Sequence, residues 1–119
     1  MANPNIVNVT KILANTVTGV FTASNTVFHT NPASSGSVHK INSILVTNVD
    51  GTANADFDLI ITNAGANNFL IKTVVVPADS AIVAVDKSSS FYLLENSKIG
   101  GAASAAGDLV YTISLEQIY

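Results

Sequence analysis

The chain has no cysteine, no tryptophan and no arginine, and only 11% of its 119 residues are charged. Without cysteine there is no disulfide, thiolate nucleophile or thiolate metal site, so stability must come from burial and hydrogen bonding. All five cations are lysines (Lys11, Lys40, Lys72, Lys87 and Lys98), scattered through a chain of net charge -3. Phosphate recognition uses clustered cations and guanidinium forks, so nucleic acid is not an expected partner. No apolar run approaches the eighteen residues of a membrane-spanning helix, and membrane insertion is not expected. The opening Met1-Ala-Asn-Pro-Asn-Ile6 lacks a basic stretch followed by an apolar one, so no signal peptide is expected. Synthesis in the cytoplasm follows as an expectation.

What the chain does have is apolar content: hydrophobic residues make up 48% of it, rich in Val and Ile and accompanied by Thr, Asn and Ser. That is enough for one modest core in a chain of this length. Helical three-and-four spacing is missing over any long window, whereas strict alternation marks strands at Asp56 to Thr62 and Asp108 to Gln117. Further strands are expected at Ile6 to Leu13, Val17 to Ala23, Thr26 to His29, Val38 to Asn48, Phe69 to Val76, Ala81 to Val85, Phe91 to Leu94 and Lys98 to Ala103. Turn signals separate them at Asn31-Pro32, Ser35-Gly36, Asp50-Gly51, Asn63-Ala-Gly65, Pro77-Ala-Asp79 and Gly107-Asp108. The reading is all-β: a single antiparallel β-sandwich over residues 1–119, jelly-roll-like, with about eight to ten short strands and residues 1–5 as an N-terminal arm. Phe57, Leu59, Ile61, Leu109, Tyr111, Ile113 and Leu115 are expected in the core. The runs 69–76 and 38–46 are apolar on both faces, so either a partner or a curved sheet must cover the surplus.

Each candidate for chemistry has a simpler structural reading. The Gly100 to Gly107 stretch lacks the Lys-Ser/Thr and the following helix of a phosphate loop, and is read as a strand and hairpin that admit a close neighbour. His29 and His39 flank a turn region that can bring them together, but two histidines do not make a metal site. Asp50, Asn54 and Asp56 fall in a short loop without the order of a calcium loop. Asp56 and Asp58 share a strand face and are read as solvated neighbours of buried residues. No Ser occupies a nucleophile elbow. No catalytic residue, metal, cofactor or small-molecule substrate is expected.

The segments Thr30-Asn-Pro-Ala-Ser-Ser-Gly36, Val38-His-Lys-Ile-Asn-Ser-Ile-Leu-Val-Thr-Asn-Val-Asp-Gly51, Val76-Pro-Ala-Asp-Ser80 and Phe91-Tyr-Leu-Leu-Glu-Asn96 resemble small virion structural proteins of tailed bacteriophages. The likeness is to those infecting cyanobacteria and other marine bacteria in particular. The opening Met1-Ala-Asn-Pro-Asn-Ile-Val-Asn-Val-Thr10 and closing Ser114-Leu-Glu-Gln-Ile118 are similar too. The resemblance implies a β-sandwich component of the virion, placed on the outer surface of the head as a decoration or cement protein. A tail, neck or fibre-associated part is the runner-up. Gly100-Gly101 departs from the bulkier strand residues expected there.

The implied partners are the major capsid protein or other virion proteins, together with further copies of the chain, a trimer being favoured because several attachments add avidity. The candidate interface residues are the arm Ala2, Asn3, Pro4 and Asn5, with Phe21, Phe28 and Tyr119; the same residues are also candidates for the core. A host-receptor or carbohydrate-binding module is the reading from another class. Three tyrosines (Tyr92, Tyr111, Tyr119) and no tryptophan supply little surface for sugar stacking.

Overall fold

The structure, a computed structural model, describes residues 9–119. The β-branched runs pair as nine antiparallel strands: β1 (Ile12–Val20), β2 (Thr26–Asn31), β3 (Val38–Asn48), β4 (Ala55–Asn63), β5 (Ala66–Val76), β6 (Ala81–Val85), β7 (Phe91–Leu93), β8 (Ser97–Ala103) and β9 (Leu109–Ile118). One sheet runs β1-β9-β3-β6, with β7 also on β3; the other runs β2-β8-β4-β5. Early strands thus interleave with late ones in both sheets, and the two sheets pack as the expected β-sandwich. Among the described residues the helical structure is a 3-10 turn, Lys87–Ser89, capped by the Asp86 carboxylate.

Strand limits follow the alternation closely, with one correction. The two strands expected at 6–13 and 17–23 are a single strand, β1, in unbroken register with β9 from Ile12↔Ile118 to Val20↔Val110. Most of β1 is exposed on both faces, so the polar Asn15 between the two expected strands costs nothing. Residues 6–8 of that expectation lie outside the described residues. Between β4 and β5, Ala64 (φ 51°) and Gly65 (φ 90°) form the two-residue turn whose twist matches a hairpin.

The core lies between the sheets. Phe57, Leu59, Leu109, Tyr111, Ile113 and Leu115 are buried as expected, and Ile61 is partly buried against them. Phe21 and Phe28, carried above as interface candidates, are core residues. Phe21 stands edge-on to Phe28, Phe57 and Tyr111, and Phe28 stacks on Tyr111 with ring centroids 4.0 Å apart. Gly19 lies beneath the Tyr111 ring, where a Cβ would meet the phenol.

Gly100 and Gly101 are explained by backbone that approaches β8 from both neighbouring strands, on one side through a bulge. The β2–β8 register jumps between Val27↔Gly100 and His29↔Ile99, leaving Phe28 as the extra residue. A Cβ on Gly100 would collide with the Thr26 carbonyl of this bulged strand, and one on Gly101 with the Asp58 carbonyl of β4. Backbone from both sides therefore occupies the space that bulkier residues would need. Truncating Ile113 to Ala should cost about 2–5 kcal/mol, measured by urea unfolding. Gly101→Ala adds a single methyl yet should cost about 1–3 kcal/mol through overpacking. A neutral result at Ile113, or at Gly101, would contradict the respective packing.

Candidate interaction surface

The arm Ala2, Asn3, Pro4 and Asn5 lies outside the described residues. Tyr119 is half-buried and ties the chain's end to the segment before β1. Thr10 N–H donates to the Tyr119 carbonyl (2.8 Å), Tyr119 N–H donates to the Lys11 carbonyl (3.0 Å), and the Lys11 ammonium sits 4.5 Å from the ring centroid. Tyr111 is buried in the core, while Tyr92 on β7 is exposed.

Surface apolar residues gather on the two margins of the sandwich. Along one margin, the first five residues of β1 (Ile12 to Thr16) are exposed on both faces, and Ile12 and Leu13 are 53% and 45% accessible. On the other, the first five residues of β5 (Ala66 to Leu70) are exposed on both faces, with Phe69 54% and Leu70 38% accessible. The apolar surplus noted in the sequence therefore divides. On β3 most of it is buried, leaving Leu45, whereas on β5 it stays on the surface. The cause is the shortness of β6 and β7, which pair with only part of β3. A groove of about 310 Å³ opens beside them, lined by Ile61, Leu70, Phe91, Leu93 and Leu94 among others.

A second groove, about 340 Å³, crosses the outer face of the other sheet. Gly100 and Gly101 contribute to its lining, and Val27, Ile60, Thr62, Asn67 and Lys98 surround it. It has no aromatic residue in its lining on which a sugar could stack. Both grooves are open to solvent rather than enclosed.

Inside the sandwich, the two histidines do meet, across the sheets rather than within one. The Phe28 bulge turns His29 inward, and His29 Nε2 lies 2.7 Å from His39 Nδ1. Only one ring can donate at that contact. His39 Nε2 reaches Ser37 Oγ at 3.2 Å, and the network continues through Ser35, whose hydroxyl donates to Asn31 Oδ1. The Asn31 amide donates to the carbonyls of Ser37 (3.0 Å) and Leu93 (2.9 Å). Glu95, also buried, accepts from the Gly36 N–H at 3.0 Å. Burial, and secondarily the neighbouring His29, push the His39 pKa down to about 4; burial lowers that of His29 as well. Asn31, Ser37, Asn48, Glu95 and Ser97 were not legible as buried residues. A buried Asn that ties a turn to a neighbouring strand has the same signature in sequence as a solvated turn Asn. Asn48 is such a case, its amide donating to the carbonyls of Ala53 and Val76.

Of the carboxylates considered for metal or acid-base work, those of Asp50 and Asp58 serve the backbone. Asp50 Oδ1 accepts from Thr52 N–H, Thr52 Oγ and Ala53 N–H, bonds that lower its pKa. Asp58 accepts from Thr73 N–H at 2.7 Å, holding the left-handed Thr73 (φ 54°) at a β5 bulge. The Asp56 N–H donates to Ser104 Oγ (3.0 Å), and the Asp56 carbonyl accepts from the Ser104 N–H (2.9 Å).

No family model matches the chain, and no curated protein matches it. Among solved structures it is similar to a chain of the Bacillus endospore appendages, a family of disulfide-linked pili: 15% identity, 90% of this chain and 87% of that one, TM-score 0.53. At this identity the likeness is one of fold. Two pentameric capsid proteins isolated from metagenomic phage sequences align at 16% and 14% identity with TM-scores of 0.41 and 0.37, over 87% of this chain. This chain spans 62% and 61% of their lengths.

Because the folded state holds His39 below its ordinary value of 6.5, the unfolded chain takes up the proton first on acidification. The contribution of neutral His39 is full above about pH 6.5 and is lost as pH falls towards 4. Melting temperature should therefore drop across that window, and His39→Asn should flatten the drop; parallel profiles would contradict the assignment. Asn31→Ala, which strands two buried carbonyls, should cost about 1–3 kcal/mol in urea unfolding.

Proposed function

We propose that the chain is a non-enzymatic structural protein of a virion, a decoration or cement subunit that binds the outer surface of a phage head through the major capsid protein or a neighbouring virion protein. The observation that carries this reading is the pair of exposed margins, β1 without a charged residue and β5 with Lys72 alone, on a sandwich whose Asp50, Asp58 and Asp86 carboxylates serve its own turns and bulge. Broad margins suit contact with protein surfaces, and an open groove without convergent catalytic groups suits no small substrate. The resemblance of the 30–51, 76–80 and 91–96 segments to tailed-phage virion proteins supports the same assignment.

A cement subunit stabilises a shell by binding it better assembled than broken, which shifts the equilibrium by mass action. Several attachments per oligomer, a trimer in this reading, multiply the effect. A second reading, a tail, neck or fibre-associated part, draws on the fold shared with a pilus subunit. This chain has no cysteine with which to form the disulfide links of that pilus family.

Purified protein added to particles stripped of it should rebind and raise their resistance to heat or low salt. Labelling of the tail tip, with no binding to shells, would replace the head assignment with the tail reading.

A further inference from the structure

Most edge strands are guarded against pairing by charge, proline, bulges or shortness. β1 has none of these guards. Its nine residues contain no charged residue and no proline, its register on β9 is unbroken, and among the described residues no strand pairs with its outer edge. The half from Ile12 to Thr16 also lacks cover on either face. Such a strand presents free N–H and C=O groups at main-chain spacing, and another extended strand satisfies them best.

The opposite margin offers what β1 lacks. From Ala66 to Phe69, β5 stays in continuous register on β4, and its outer edge is likewise unpaired among the described residues. Behind this stretch lies the apolar groove lined by Ile61, Leu70, Phe91 and Leu93. Side chains of β1 alternate, and pairing with Gln117, Leu115 and Ile113 sets Leu13, Asn15 and Val17 on the inner face of the sheet. Leu13 is therefore the apolar side chain positioned to enter a neighbour's groove when β1 lies along its β5. The surfaces match in charge, since β1 has none and β5 has only Lys72, whose ammonium sits 4.2 Å from the Phe69 ring centroid. A chain cannot satisfy itself this way: β1 neighbours β2 on one margin, and β5 neighbours β6 on the other.

We propose that copies of this chain associate head to tail, with β1 of one copy adding to the Ala66–Phe69 edge of the next and Leu13 entering the groove beside Leu70. Unlike partners on one molecule make the contact heterologous, so successive copies close into a ring or extend as a filament. The inference rests on the structural-protein reading and names the surfaces by which copies meet.

Sedimentation velocity of Leu13→Lys, of Leu70→Lys and of their equimolar mixture tests this, with circular dichroism confirming that each variant folds. Both positions are on the surface, so the fold should be retained. Wild type should associate, each variant alone should be monomeric, and the mixture should form dimers, because it restores one intact β1 against one intact β5. Association of Leu70→Lys at wild-type strength would show a symmetric β1–β1 contact and overturn the proposal. So would a monomeric mixture, or a wild type that stays monomeric. Loss of association on removing residues 1–8 with β1 intact would make that segment the occupant instead. Shell binding by a monomeric wild type would overturn this inference while leaving the function standing. Head-to-tail association without shell binding would do the reverse.

Discussion

The stack of Tyr111 on Phe28 joins the two sheets near the β1–β2 margin, and several otherwise separate features are arranged around it. Tyr111 comes from β9, which lies between β1 and β3, and its phenol occupies the space left by Gly19 on β1. Phe28 reaches it as the extra residue of the β2 bulge. That bulge pushes the Thr26 carbonyl toward β8, where only a glycine leaves room. It also reverses the alternation of β2, so that His29 faces inward beside Phe28 and meets His39. One aromatic contact thus accounts for two glycines and a buried histidine pair that have no separate explanation.

The polar groups follow a consistent division. Several of those inside, from His29 to Asn31, are joined into a network between the sheets, Asn48 bonds separately to main-chain carbonyls, and among the described residues no buried side-chain nitrogen or oxygen lacks a partner. The network's expected acid sensitivity comes first from burial of the two rings and second from the like charges that protonating both would place side by side. Exposed carboxylates are spent on loops: Asp50 and Asp86 close turns, and Asp58 holds a bulge. With so few charges, little is left over to guard the margins.

The margins differ because the sheets differ in reach. β5 is eleven residues long, whereas β6 and β7 have five and three, and an open groove remains between β7 and the far half of the β4–β5 hairpin. On the other margin β1 outruns the six-residue β2. Each overhang exposes apolar residues that a second copy or a larger surface can cover, which connects the unequal strand lengths to an assembly role.

The alternation of Val, Ile, Leu and Phe with polar residues was sufficient to identify the all-β class, the limits of β3 and β6, and the inward faces of β4 and β9, because strand period and burial are local properties. Four features were decided by tertiary structure. β1 is one strand because β9 pairs with it throughout, whatever its polar centre. Phe21 and Phe28 belong to the core because a bulge and the partner sheet enclose them. His29 faces His39 because the same bulge overrides alternation. The bare margins exist because strands from distant parts of the chain differ in length where they meet. Each depends on which residues from elsewhere lie opposite, and a pattern read along one strand carries no record of its neighbours.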